Sequence, residues 1–206
     1  MKKTHRISPE TPLVLASASP RRRELLAQAG IPFRPVASRV SEEDMPRDPT
    51  RGSLFLAEKK ARRVSGRTGP FWIVGADTVV VAGRRILGKP ADSDDARRML
   101  SQLEGRKHRV ITGFCIIGPS GEPVHSEAVT THVRFRPLTG REIDAYIRTG
   151  EPFGKAGGYA IQGIGAFMVE AISGSYTNVV GLPLCALIRA LVAAGAIASF
   201  PLAGDL

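Results

Sequence analysis

Short runs of consecutive apolar residues alternate along this chain with segments whose apolar positions recur every three or four residues. The first pattern suits buried strands, the second helices with one covered face. Leu13 to Ser17 (LVLAS) predicts a short buried strand. Ser19-Pro20 follows as an N-cap with proline at the first helical position, and Gly30 ends the helix they open. Phe33 to Val40 is a second strand candidate, and Thr50 to Val64 carries Leu54, Ala57, Ala61 and Val64 at helical spacing. Phe71 to Val81 (FWIVGADTVVV) reads as a strand interrupted by Gly75, with a hairpin turn at Ala82-Gly83-Arg84-Arg85. Ser93 to Leu103 is helical and stops at Gly105. Val110 to Ile117 and Ala128 to Phe135 read as paired strands joined through Pro119-Ser120-Gly121. Thr139-Gly140-Arg141-Glu142 is a capping box that opens a helix to about Arg148. Phe167 to Ile172 is a late strand and Leu184 to Ala194 the last helix.

This alternation predicts an α/β fold, and the long central strand pair makes its sheet mixed rather than purely parallel. No repeat, low-complexity tract or linker interrupts the chain, so residues 1–206 read as a single domain with 1–12 as a polar N-terminal extension. The most apolar stretch, Val179 to Ala198, contains Pro183 and Arg189 and reads as a buried terminal helix rather than a membrane span. No apolar run of signal-peptide length follows Lys2, Lys3 and Arg6, so a cytoplasmic protein without membrane attachment is expected.

Composition sharpens this only in places. The hydrophobic share of 43% and charged share of 23% are ordinary for a globular chain. Cys115 and Cys185 sit in apolar runs without metal or disulfide spacing, and read as reduced core residues. The net charge of +10 suits a polyanionic partner, either nucleic acid or a small phosphorylated substrate. Only 6% of residues are aromatic, and none form a base-stacking run, so nucleic acid is not the expected partner. Much of the excess is arginine spread over helices, such as Arg62, Arg63, Arg97 and Arg98.

Four constellations carry candidate chemistry. In Ser17-Ala18-Ser19-Pro20-Arg21-Arg22-Arg23 a strand ends, small residues turn the chain and a helix starts. Three arginines in that first turn oppose the helix dipole at roughly 0.3–1 kcal/mol each. The same helix end presents backbone N–H groups, and an anion, phosphate above all, relieves both features. The alternative is that the arginines simply reach solvent. In Gly75-Ala76-Asp77-Thr78 a carboxylate stands in an otherwise apolar strand, where it needs partners. Asp77 suits a metal or a proton taken from water, or a purely structural pairing; downstream, Gly88-Lys89-Pro90 frames a lysine between two conformational punctuators. The run from Gly150 to Gly165 holds Lys155, a natural phosphate contact, and Gln162, whose amide both donates and accepts as a base edge requires. Its glycines are expected to let backbone N–H groups reach a ligand. Finally, one carboxylate of Ser41-Glu42-Glu43-Asp44 is a candidate to join Asp77 around a magnesium ion. Lys59 and Lys60 add helix cations, while His108 and Thr112 are polar residues without an assigned use.

Taken together, LASASPRR (Leu15 to Arg22), GADTVV (Gly75 to Val80), GKP (Gly88 to Pro90), HRVITG (His108 to Gly113), KAGGYAIQG (Lys155 to Gly163) and GSYTNVVGLPL (Gly174 to Leu184) resemble the Maf family of nucleotide pyrophosphatases. The resemblance runs from Leu13 to Leu187. It implies an inosine-triphosphatase-like fold, an elongated α/β structure with a twisted mixed sheet, flanking helices and a cleft between two lobes. It also implies hydrolysis of a nucleoside triphosphate to monophosphate and pyrophosphate with magnesium or manganese. A link to division arrest and to removal of non-ordinary nucleotides comes with it. The branch acting on dTTP and UTP is marked by an arginine after SxSP, a threonine after GAD and a glutamine before the glycine of IQG, here Arg21, Thr78 and Gln162. The 7-methyl-GTP branch carries glutamine and glutamate at the last two positions. The family's proton acceptor falls on Asp77, its cations on Lys60, Lys89 and Lys155, and its acidic loop residue on Glu42. Lys59 beside Lys60, and Glu43 beside Glu42, occupy adjacent positions.

The expected site therefore assigns Asp77, Lys60, Lys89 and Glu42 to catalysis. Ser17, Arg21, Thr78, Lys155 and Gln162 bind substrate, and Asp77 and Glu42 hold the divalent metal. The expected partner is a nucleotide, with a homodimer left open. The competing readings are a pyrophosphatase for another nucleotide, such as CTP or a modified purine, a nucleotide-binding regulator of division, and a nucleic-acid binder.

Overall fold

Strand and helix follow the two apolar spacings in order, but the bounds differ: the helix read to Val64 runs on to Thr68, the paired central strands start earlier at Lys107 and Pro123, and the late strand starts at Val169. A computed structural model of the chain describes residues 6–41 and 44–202. The first strand is β1 (Leu13–Leu15), followed by α1 (Pro20–Gln28) with Ser19 at its N-cap. Next come β2 (Phe33–Pro35) and α2 (Pro49–Thr68), whose N-cap Asp48 accepts from the Arg51 amide. A hairpin of β3 (Ile73–Ala82) and β4 (Arg85–Leu87) turns through Gly83, as expected. α3 (Ser93–Leu103) precedes the long strands β5 (Lys107–Ile117) and β6 (Pro123–Phe135). α4 (Gly140–Arg148) begins with the full capping box between Thr139 and Glu142. The chain ends with β7 (Val169–Ser173), α5 (Tyr176–Val180) and α6 (Leu184–Ala193).

The sheet is mixed. Its order is β2-β1-β3-β5-β6-β7, with β4 added beside β3. β1 runs parallel to β2 and β3, whereas β3–β4 and β6–β7 are antiparallel. The second strand is shorter than Phe33 to Val40. The Val36 amide makes a bond of 2.9 Å to the Leu15 carbonyl, and Arg39 then adopts a left-handed φ of 45°. The terminal apolar stretch is not one helix either: Gly181-Leu182-Pro183 separates α5 from α6, and Pro183 takes the N-cap position of α6. Among the described residues, no helix is long and apolar enough to cross a membrane. The reading of both cysteines as core residues needs correction. Cys115 is buried, but Cys185 is exposed. It lies on the face of α6 opposite Ala186, Leu187, Ala190 and Leu191, which supply the covered stripe.

The chain divides into two compact units. Unit 1 comprises Met1–Asp77, Thr112–Val129 and Gly181–Leu206, and unit 2 comprises Thr78–Ile111 and Thr130–Val180. β3, β5 and β6 each contribute residues to both. In unit 1, α2 packs on the sheet through Ala57, Ala61 and Val64 against Val14, Ile73 and Cys115. The approach is backbone to backbone. A Cβ on Gly75 would lie 2.2 Å from the Ala57 carbonyl oxygen, and one on Gly113 would lie 2.5 Å from the Ser53 carbonyl carbon. Gly75 therefore admits a helix of the same unit. In unit 2, Val80, Leu100, Val110, Phe135, Tyr146 and Tyr159 belong to one core.

His108 joins that second core as a neutral ring. Its Nε2 lies 2.8 Å from the Tyr159 hydroxyl, and it meets the Phe135 and Tyr159 rings edge to face at 5.0 and 5.4 Å. Its Nδ1 is buried without a hydrogen-bond partner. Burial lowers its pKa from 6.5 to about 4. Between those values the unfolded chain binds a proton that the native state refuses, so stability falls as pH drops from 6.5 towards 4. The loss attributable to His108 is on the order of 3 kcal/mol. Urea unfolding across that pH range should show this decline, and His108→Phe should flatten it.

Candidate functional site

Unit 1 brings the Lys60 ammonium onto a carboxylate in the middle of β3 and starts α1 just after the end of the parallel strand β1. Val14 lies opposite Ile73 and Leu15 opposite Val74, and the Ala16 amide donates to the Val74 carbonyl at 2.8 Å. The pairing of β1 with β3 ends at Leu15 and Val74, and Asp77 follows three residues further along β3. Asp77, with 7% of its surface exposed, points out of an apolar strand and is met by Lys60 from α2. The Lys60 ammonium donates to Asp77 Oδ1 at 2.5 Å, and the two side chains are 13% and 10% exposed. The helical turn that seats Ala57 and Ala61 over Gly75 is what brings Lys60 there. Its neighbour Lys59 faces elsewhere and donates to Asp44 at 3.3 Å in an open pair. Geometry thus separates the two adjacent lysines.

The arginine triplet splits into three environments. Arg21 is half-buried, Arg22 is buried and Arg23 is exposed. Arg22 donates from Nε to the Gly181 carbonyl at 2.8 Å and from Nη1 to Ser17 Oγ at 3.2 Å. Ser17 Oγ also accepts from the Ser19 amide at 3.2 Å. The substrate-binding expectation for Ser17 and Arg21 thus passed over Arg22, although a signal was present. Arg22, Leu25 and Leu26 share the covered face of α1 at helical spacing. The helix start itself keeps the features expected of an anion site: Pro20 at its first position, no acidic residue in the first turn and no side-chain cap from Ser19. Glu42, and Glu43 beside it, lie outside the described residues.

Unit 2 gathers the remaining candidates around a tied pair of loops. The Gly157 amide donates to the Gly88 carbonyl at 2.9 Å, which joins the Gly88-Lys89-Pro90 segment to the loop carrying Lys155. That loop rests on Val80 of β3, whose side chain would lie 3.0 Å from a Cβ on Gly157. Lys89 is exposed, Thr78 on β3 is partly buried and Gln162 is exposed. Lys155 is half-buried, and its ammonium donates to the Glu151 carbonyl. The expectation that the glycine loop offers bare amides needs correction at eight positions, since the amides of Gly150, Glu151, Phe153 and Ala160 donate to oxygens of the protein, as do the four that follow. Gly157 and Gly158 donate to backbone carbonyls, and Ile164 and Gly165 donate to the Glu151 carboxylate. Glu151 was not among the expected site residues. It stands at the head of the glycine run, but no spacing rule connects it to amides 13 and 14 residues later.

Metal chemistry is compatible with the Asp77 carboxylate. Among the described residues, no cluster of three or more His, Cys, Asp or Glu side chains is arranged around a metal site. Magnesium does not need such a cluster, since one or two carboxylates plus substrate phosphates complete its shell.

Residues 12–194 match the family described as Maf-like protein. The chain belongs to the Maf family. Among similar Maf proteins, one of Syntrophotalea carbinolica named dTTP/UTP pyrophosphatase is 52% identical over 191 residues, covering 91% of this chain and 87% of its own. One of Geobacter sulfurreducens with the same name is 51% identical, covering 90% of this chain and 97% of its own. One of Thermococcus onnurineus, also so named, is 55% identical, with coverages of 84% and 92%. A solved dITP/XTP pyrophosphatase of Mycobacterium abscessus superposes with a TM-score of 0.36 at 17% identity, covering 62% of this Maf chain and 75% of its own. A likeness that weak adds nothing to the fold described above.

The two lysine pairs should respond differently to removal. Lys60→Met strands a buried carboxylate and is expected to lower stability by about 3 kcal/mol. Lys59→Met breaks a pair whose acid is 77% exposed, and should cost less than about 1 kcal/mol. Chemical denaturation of both variants checks this.

Proposed function

We propose that this Maf protein hydrolyses dTTP and UTP to the nucleoside monophosphate and pyrophosphate. The observation that carries the proposal is that proteins of that name share about half their residues with this chain over most of both lengths. The buried Lys60–Asp77 pair supports it, because it supplies a carboxylate of fixed orientation, which water activation requires. Water attacks the α-phosphorus, the bond to the bridging oxygen breaks, and pyrophosphate leaves. Asp77, its orientation set by Lys60, orients that water and takes its proton. Arg21, Lys89 and Lys155 neutralise charge on the phosphates, and Ser17 completes the phosphate-binding turn. Thr78 and Gln162 read the pyrimidine. Gln162 accepts from N3–H with its carbonyl and donates to O4 or O2 with its amide.

A magnesium or manganese ion would be held by Asp77 and the substrate phosphates, with Glu42 as the second carboxylate. When bound it supplies charge neutralisation at the phosphates. The substrate is a free nucleotide, and the enzyme acts in the cytoplasm.

A nucleotide panel assayed with magnesium and with manganese tests this reading. Turnover of dTTP and UTP to monophosphate plus pyrophosphate is expected; diphosphate plus phosphate, or a preference for CTP or a purine, overturns it. Asp77→Asn still accepts from Lys60 but leaves its buried ammonium without a counter-charge, so it should fold with a lowered Tm and lose on the order of a thousandfold in kcat. Gln162→Glu adds a charge and removes a donor, and should lower kcat/KM for dTTP and UTP at least about tenfold. Unchanged kinetics would dismiss Gln162 as a base reader.

A further inference from the structure

The glycine loop of unit 2 is held by one carboxylate from its own first turn. Glu151 follows α4, and its amide donates to Thr149 Oγ1 at 3.1 Å. Its Oε1 accepts from the Ile164 amide at 2.9 Å and its Oε2 from the Gly165 amide at 2.7 Å. These are the first two amides of the 3-10 turn Ile164–Met168, whose N-cap position is Gly163. Glycine has no side chain with which to cap, so Glu151 supplies the anion from a distance. Gly163 in turn makes room for it. Its φ is 136°, and a Cβ there would lie 2.3 Å from Glu151 Oε1. The circuit continues through Tyr146, whose hydroxyl bonds the Glu151 carboxylate and accepts from the Ala160 amide at 3.2 Å. The Glu151 carbonyl closes it by accepting from the Lys155 ammonium. One residue thus grips the loop at its start, at Lys155 and at the turn just beyond Gln162.

We propose that Glu151 is a positioning residue for nucleotide binding: it fixes the loop in the form that presents Lys155 and Gln162 to substrate. This rests on the dTTP/UTP reading for the identity of the ligand, but not for the clamp itself. A loop ordered in advance avoids the entropy of ordering on binding, so the clamp acts on affinity more than on the chemical step. Burial pushes the Glu151 pKa up, but the hydrogen bonds from Gly165, Tyr146 and Ile164, with the charge of Lys155, bring it below the usual carboxylate value. The clamp therefore holds throughout the neutral range and loosens only in acid.

Glu151→Gln replaces one accepting oxygen with an NH2 group facing a backbone N–H. Gly163→Ala drives a methyl into the same oxygen from the other side. Each is expected to raise KM for dTTP and UTP about tenfold or more while kcat changes less, and the two effects should not add in the double variant. Narrowed discrimination between pyrimidine and purine triphosphates is expected alongside. Amide hydrogen exchange should accelerate at Ile164 and Gly165 in both variants. A purely structural residue would instead lower Tm and reduce turnover of every nucleotide alike at unchanged KM. That pattern, or unchanged KM in both variants, overturns the proposal. If the wild-type protein hydrolyses neither dTTP nor UTP, the functional reading fails. Exchange at Ile164 and Gly165 then still decides the clamp: unaltered exchange in both variants refutes it.

Discussion

A carboxylate in the middle of an apolar strand is the feature around which unit 1 is arranged. Asp77 is buried, and a buried charge without a partner costs several kcal/mol. Lys60 meets it only because α2 lies on the strand with no side chain intervening, and that proximity exists only where Gly75 and Gly113 leave the sheet surface bare. The glycine before the acid and the lysine on the helix are thus one device. Methyl groups at those two positions would lift the helix, and the ammonium with it. The same packing sends Lys59 to the outside, so two adjacent and chemically identical residues acquire different environments from the 100° step of a helix.

Arg22 and Glu151 show a second pattern. Both lie inside motifs made of residues suited to phosphate, yet both spend their charge on the protein itself. Arg22 ties the turn after β1 to Gly181, and Glu151 ties the glycine loop to its own far end. Arg22 thus contributes to the +10 charge of the chain while serving as an internal anchor.

Much of this was legible before any coordinates. Ser19-Pro20, the Thr139–Glu142 box and the Gly83 turn are local rules written in a few adjacent residues, and each forms as the spacing indicates. Asp77 stood out because a charge in an apolar strand is rare. What escaped was long-range. The Glu151 amides are 13 and 14 residues away, and Gly181 is 159 residues from Arg22. Periodicity carries no information at such distances. The Cys185 misreading had another cause: an apolar run was taken as wholly buried, when a short helix at the surface covers only one stripe. The Maf motifs located the candidate residues in sequence, but not which of two neighbours faces the acid.

The segments of unit 1 are scattered along the chain, and its final one begins at Gly181, the residue whose carbonyl receives Arg22. During synthesis the first seventy-odd residues therefore emerge without the strands and helix that complete their core. The guanidinium of Arg22 has no native acceptor at Gly181 until the chain has been made to that residue. Completion of this unit therefore comes late in synthesis, and a stop codon just upstream of α6 would leave all seven strands made but unit 1 without its last helix.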